Sequence, residues 1–195
     1  MEIIAATNNE NKLRELKAIL KGKFEVVSLK EKGIFSDPDE TGETFEENSE
    51  IKARSAMEKS NLPAIADDSG LYVYSLDGAP GVYSARFAGE NATDEENNRL
   101  LLEKMKDKTD RKAKFVSVVT LVFPDGKKVS GKGECEGEIL FEYRGDGGFG
   151  YDPLFYVPEI KKTFAEMTDD EKNKVSHRAK ALKDFEERLK EIDND

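Results

Sequence analysis

Two segments, Lys114 to Phe123 and Lys127 to Cys135, flank Pro124-Asp125-Gly126. This hairpin signature constrains the fold more than any other stretch, because it sets an antiparallel strand pair into the middle of the chain. The flanking segments read differently. Ile3-Ile4-Ala5-Ala6 reads as a strand and Thr7-Asn8-Asn9 as a turn, and Leu13, Leu16 and Leu20 recur at helical spacing. Phe24 to Leu29 alternates like a second strand, and a polar loop with Gly33, Pro38 and Gly42 follows. Thr44 with Glu47 predicts a capping box for a helix running to about Ser60, and Thr93 with Glu96 predicts another for a helix ending near Met105. Between them, Leu62-Pro63-Ala64-Ile65 reads as a buried strand turned at Gly70, and Leu71 to Leu76 as a further, aromatic one. At the far end Val175, Ala179, Leu182, Phe185, Leu189 and Ile192 form an apolar helical stripe. Helices between strands at both ends, around a central hairpin, predict an α/β fold with a mixed twisted sheet flanked by helices. No repeat or linker interrupts the 195 residues, so a single domain over 1–195 is expected.

Charge narrows the functions open to such a chain. With 31 basic and 41 acidic residues it carries a net −10, which disfavours non-specific binding to nucleic acid or an anionic membrane. One Cys and one His exclude a disulfide framework and a Cys/His zinc site. The start of the chain reads as neither a signal peptide nor a membrane span, so a cytoplasmic location is expected.

Three groups of residues carry chemistry. The first is Ala66-Asp67-Asp68-Ser69-Gly70, at the carboxyl end of a strand, where open α/β sheets collect ligands. Side chains alternate along a strand, so one aspartate is expected to work and the other to accept hydrogen bonds structurally. Both could instead cap a turn. Glu40 and one of the two aspartates offer hard oxygen ligands suited to Mg²⁺. The second is cationic. Lys12 sits in the first turn of a helix, where its charge opposes the dipole; it is either solvated beside a polar cap or offset by an anionic ligand. Lys52 shares a helix face with Phe45, Ser49, Ala53 and Ala56, turned toward the protein, where it either snorkels or meets an anion. The third is ring-bearing. Phe149 and Tyr151 lie in a glycine-rich stretch and either stack a base or plug the core. Thr168 with Glu171 predicts a capped turn, then a break near Ser176, after which Lys172, His177 and Arg178 are expected to converge.

These segments, in this order, make the chain resemble the inosine triphosphate pyrophosphatase family. The matching pieces are Thr7-Asn8 through Lys12, Glu40-Thr41-Gly42 with Phe45, Glu47-Asn48 and Lys52-Ala53, and Ala66 to Leu71. They continue with Pro80 to Gly89, Phe149-Gly150-Tyr151-Asp152-Pro153, Lys172-Asn173 and Ser176-His177-Arg178. The chain departs at Asn9-Glu10-Asn11, where many members carry a glycine before the lysine. The resemblance implies an elongated, two-lobed α/β fold with a central cleft, a homodimer, and Mg²⁺-dependent hydrolysis of non-canonical purine nucleoside triphosphates to the monophosphate and pyrophosphate. By the same likeness Asp68 is the proton acceptor and a metal ligand, and Glu40 helps hold the metal. Lys12 and Lys52 neutralise phosphate charge, and Thr7, Asn8, Asn9, Glu10 and Asn11 also bind substrate. Ser69, Phe149, Gly150, Tyr151 and Asp152 line the nucleoside site, with Lys172, His177 and Arg178 around the base.

The septum-formation-inhibitor type of nucleotide pyrophosphatase is the nearest rival, opposed by Ser176-His177-Arg178 and by Pro80 to Gly89. A binding module without turnover is the rival of another class. A glycosidase would leave Lys12 and Lys52 without a use, and a serine hydrolase would need a Gly-x-Ser-x-Gly elbow that the chain lacks.

Overall fold

The computed structural model describes residues 1–193, and the side chain of Ile192, expected on the last apolar stripe, lies outside the described residues. Five helices and seven strands are described: β1 (Glu2–Ala5), α1 (Glu10–Ile19), β2 (Glu25–Ser28), α2 (Phe45–Ser60), β3 (Ala64–Val73), α3 (Asp94–Met105), β4 (Lys112–Val122), β5 (Lys128–Ile139), β6 (Phe155–Val157), β7 (Lys162–Thr163), α4 (Asp169–Val175) and α5 (His177–Asp193). The sheet runs β2-β1-β3-β4-β5-β6-β7. It is mixed: β1 pairs with β2 and β3 in parallel, while β5–β6 and β6–β7 are antiparallel.

The helix starts match their sequence signatures. Thr44, Thr93 and Thr168 each cap through a box with Glu47, Glu96 and Glu171, and Thr163 with Glu166 adds one not anticipated. The hairpin closes where expected, with Gly126 at φ +90°. The reading of Gly70 as a turn is corrected. One ten-residue strand runs through Asp67, Asp68 and Gly70 to Val73, followed by a 3-10 turn over Tyr74–Leu76. Gly70 is fully in register with this strand, buried, and not at positive φ.

The chain forms two compact units. The first comprises Met1–Asp68, Ser117–Gly133 and the stretch beginning at Arg178. It has two apolar layers set by strand parity. Ile3, Ala5 and Ile65 bury with Leu16, Leu20, Leu182 and Phe185 of α1 and α5, while Ile4, Ala6, Ala64 and Ala66 bury with Ala53 and Ala56 of α2. Gly131 admits α5, since a Cβ there would overlap the backbone at Ala181 and Phe185. The second unit, Ser69–Val116 and Glu134–His177, has its own core of Leu71, Val73, Leu101, Phe115, Tyr151, Phe155 and Phe164 among others. Among the described residues no helix is long and apolar enough to cross a membrane.

Candidate active site

Parity decides what each aspartate meets. Asp67 continues the face of Ile65, toward α1 and α5, and Asp68 continues the face of Ala64 and Ala66, toward α2. Asp67 Oδ2 accepts from Arg178 Nε at 3.1 Å and Nη2 at 2.8 Å, and Lys12 Nζ lies 3.4 Å from Oδ1. Glu15 pairs with the other arm of the same guanidinium, which is only 1% exposed. Asp68 Oδ1 accepts from Lys52 Nζ at 2.8 Å, and Glu40 lies 3.4 Å from that ammonium.

The two carboxyls therefore titrate apart. Burial alone would raise Asp67, but Arg178, then Lys12 and Lys52, hold it well below the usual carboxylate range. Burial raises Asp68, and Lys52 only partly offsets it. Burial lowers the Lys12 ammonium against the pull of Asp67, while Asp68 and Glu40 overcome burial and raise Lys52. Asp68 Oδ2 is buried and has no hydrogen-bond partner. A buried carboxylate oxygen left open, with Glu40 on the same ammonium, fits a divalent cation or a water. Among the described residues no three acidic, His or Cys side chains form a complete metal cage. Mg²⁺ needs none, since one or two carboxylates plus substrate phosphate suffice.

The loop before α1 supports this cluster locally. Asn9 caps α1, accepting from Asn11 and Lys12 N–H, and Thr7 Oγ1 accepts from Asn9 N–H. The departure at Asn9 thus supplies a helix cap. Asn8 donates to the Ser36 carbonyl at 3.1 Å, and Glu10 is exposed in the first turn. Asn48 holds the loop beside Glu40. Its Oδ1 accepts from Gly42 N–H at 2.8 Å and its amide donates to Gly42 O, in a space where a Cβ on Gly42 would overlap Asn48.

In the second unit, the rings of Phe115, Phe164 and His177 stack, with His177 centred 4.7 Å from Phe115 and 5.9 Å from Phe164. Lys172 Nζ lies 5.5 Å from Phe164 and 4.7 Å from the Phe149 ring, and donates to Asp152 Oδ2 at 2.7 Å. The same oxygen accepts from Phe149 N–H at 2.9 Å, which closes the Phe149–Asp152 turn. Gly150 provides φ +59° within it. Ser69 is half-buried on β3.

Two expectations are corrected. Tyr151 is a core residue, buried with its hydroxyl donating to Ser84 O at 2.6 Å, so of the two aromatics Phe149 alone is left with partial exposure. The helix does break at Ser176, whose extended backbone separates α4 from α5. The convergence expected there holds for Lys172 and His177, both against Phe164, whereas Arg178 is taken up by Asp67 and Glu15. Glu15 and the loop-holding role of Asn48 were not read from the sequence. Glu15 faces inward one turn after Lys12 and next to the buried Leu16, and that spacing is the available signal.

The Ham1 family model matches residues 3–188. A dITP/XTP pyrophosphatase of Clostridium perfringens is 49% identical over 98% of both chains, and one of Thermoanaerobacter pseudethanolicus is 51% identical over 93% of both. Among solved structures, a HAM1 protein from Coxiella burnetii has a TM-score of 0.88 at 43% identity, covering 98% of this chain and 99% of its own. The Staphylococcus aureus Ham1 protein has a TM-score of 0.84 at 44% identity, covering 94% and 95%.

Proposed function

The chain belongs to the Ham1 family, and on that premise we propose that it hydrolyses non-canonical purine nucleoside triphosphates (ITP, dITP and XTP) to the nucleoside monophosphate and pyrophosphate, clearing them from the cytoplasmic nucleotide pool. The observation that carries this reading is the division of labour between Asp67 and Asp68. Asp67 is locked by cations, while Asp68 presents an open buried oxygen beside two lysines and Glu40.

Asp68 accepts the proton of the attacking water, a task suited to a carboxyl that burial makes more basic than an ordinary aspartate. Lys12 and Lys52 neutralise the phosphate chain, with Thr7, Asn8, Asn9, Glu10 and Asn11 shaping the loop beneath it. Phosphoryl transfer asks a protein chiefly for such positioning and charge. Asp68 and Glu40 would hold Mg²⁺, which supplies charge stabilisation on phosphate oxygens when bound. The purine is assigned to the second unit, with Phe149 offering a ring face, Lys172 and His177 the hydrogen-bond donors, and Ser69, Gly150 and Asp152 the surround. Arg178 fixes Asp67 rather than the base. A 6-oxo purine accepts from these donors, whereas the 6-amino group of adenine leaves them unpaired, a mismatch worth roughly 10⁴ to 10⁵ in efficiency. A homodimer is the expected assembly, supported by exposed rings such as Phe35 (82%) and Phe141 (73%), and light scattering should give twice the chain mass.

The test is pyrophosphate release with Mg²⁺ from a panel of inosine, xanthosine, adenosine, guanosine and pyrimidine triphosphates. Strong preference in kcat/KM for ITP and XTP over ATP is expected. Binding without pyrophosphate release would make the protein a nucleotide-binding module, and equal efficiency on ITP and ATP would overturn the account of the donors.

A further inference from the structure

The polar face of α3 has no part in the chemistry above, yet it grips the turn that carries Phe149. Asp94 Oδ2 accepts from Gly150 N–H at 2.7 Å, and Asn98 Nδ2 donates to Gly150 O at 2.9 Å. Residues four apart on a helix share a face, so the two side chains take both backbone groups flanking one α-carbon. Gly150 sits at φ +59° with nothing within 4 Å of the position a Cβ would take, so no side-chain packing holds this turn at that point. The pair of hydrogen bonds to α3 holds it there, beside the Asp152 side-chain bond to Phe149 N–H and the turn's own bond from Asp152 N–H to Phe149 O.

Asn98 is oriented for this task at its own expense. It is 4% exposed, and its Oδ1 is buried without a hydrogen-bond partner, an arrangement that costs stability and persists only where the other end of the amide is required. The next residue round the helix does similar work on another segment. Asn97 Oδ1 accepts from Ala88 N–H at 2.8 Å and its amide donates to Ala85 O at 3.0 Å. Tyr151, beside Gly150, donates to Ser84 O, and Ser84 Oγ donates in turn to Gly81 O. The Pro80 to Gly89 segment, singled out by its sequence but without a role so far, thereby forms the backing of the Phe149–Asp152 turn.

We propose that Asp94 and Asn98 are positioning residues for purine recognition. By clamping the Gly150 peptides they fix the plane of the Phe149 ring, on which the base stacks. The inference rests on the assignment of the purine to the second unit. Asp94 is exposed and sits on the first turn of α3, so its removal tests the clamp without opening the core.

The experiment measures the calorimetric Kd of ITP and, separately, of inorganic triphosphate, which has phosphates and no ring, for the full-length protein and for Asp94→Ala, Asp94→Asn and Asn98→Ala, with circular dichroism to confirm folding. Asp94→Ala and Asn98→Ala are expected to weaken ITP about tenfold while inorganic triphosphate is unchanged. Asp94→Asn keeps an acceptor for Gly150 N–H and should restore ITP affinity to within about threefold of the parent. Unchanged ITP affinity in Asp94→Ala, or equal losses for ITP and inorganic triphosphate, would overturn the proposal, as would failure of Asp94→Asn to restore binding. If Asn98→Ala does not fold, the Asp94 pair still decides. A parent that binds ITP without releasing pyrophosphate would defeat the proposed hydrolysis and leave the clamp standing. A parent that does not bind ITP would defeat both.

Discussion

The charged cluster of the first unit and the ring cluster of the second are held in place by different means. Lys12, Glu15, Lys52, Asp67, Asp68 and Arg178 come from four elements and fix one another through their charges, side chain to side chain. Phe149 is placed by backbone, through a glycine turn closed by Asp152 and anchored on α3. The first arrangement is sensitive to any change of charge and tolerant of small shifts in backbone. The second depends on the backbone shape of its turn as well as on the charged groups Asp94, Asp152 and Lys172 that hold it. Charge acts through space and needs no exact angle, whereas a ring presents its face only where its backbone sets it.

Breaking that contrast starts with the largest effect. Asp68→Asn should reduce kcat by roughly 10² to 10⁴, the scale of a lost general base, with folding intact by circular dichroism. If Asp67→Asn proves the more damaging to kcat in folded protein, the roles drawn from strand parity are reversed. Arg178→Ala leaves Asp67 and Glu15 buried without their shared guanidinium, and urea unfolding should show a loss of about 3–5 kcal/mol, typical of a broken buried ion pair. A variant of normal stability but altered base preference would return Arg178 to the purine.

The ring side is probed by its backbone. Gly148 lies at φ +71°, and a Cβ there would overlap Asp152 Oδ2, so Gly148→Ala should cost about 1–3 kcal/mol and raise KM for ITP more than it lowers kcat. A fall in kcat alone would place the turn in the chemistry instead. The smallest effect is one of pH. Asp67 binds its proton less readily folded than unfolded, so it adds stability above the unfolded value of about 4, and that stability is lost as pH falls further. Asp67→Asn should therefore flatten the decline of the urea midpoint below pH 4, and an unchanged slope would remove Asp67 from the acid response. On the activity side, Lys52→Met removes the charge that favours ionised Asp68, so the acid limb of kcat should move to higher pH.

Much of this was legible because it is local. Capping boxes, the central hairpin and the inward face of α2 are written within a few residues of where they act, and the structure follows each. The alternation rule even separated Asp67 from Asp68 before their partners were known. What escaped is non-local. Whether Gly70 turns the chain depends on the neighbouring strands that extend β3 through it, and whether Tyr151 faces a ligand or the core depends on Ser84, far away in sequence. Chain proximity groups Arg178 with Lys172 and His177, but a guanidinium follows the nearest buried carboxylates, and those are on β3 and α1.

The shared guanidinium also bears on how such a sequence can drift. Losing Arg178 strands two carboxylates in the interior, while replacing the whole trio with apolar side chains of matching volume is often neutral or stabilising. Removing the guanidinium alone therefore descends into a valley that a simultaneous triple exchange would cross. The trio is thus easier to keep than to leave, because the way out passes through a chain with buried carboxylates and no cation between them.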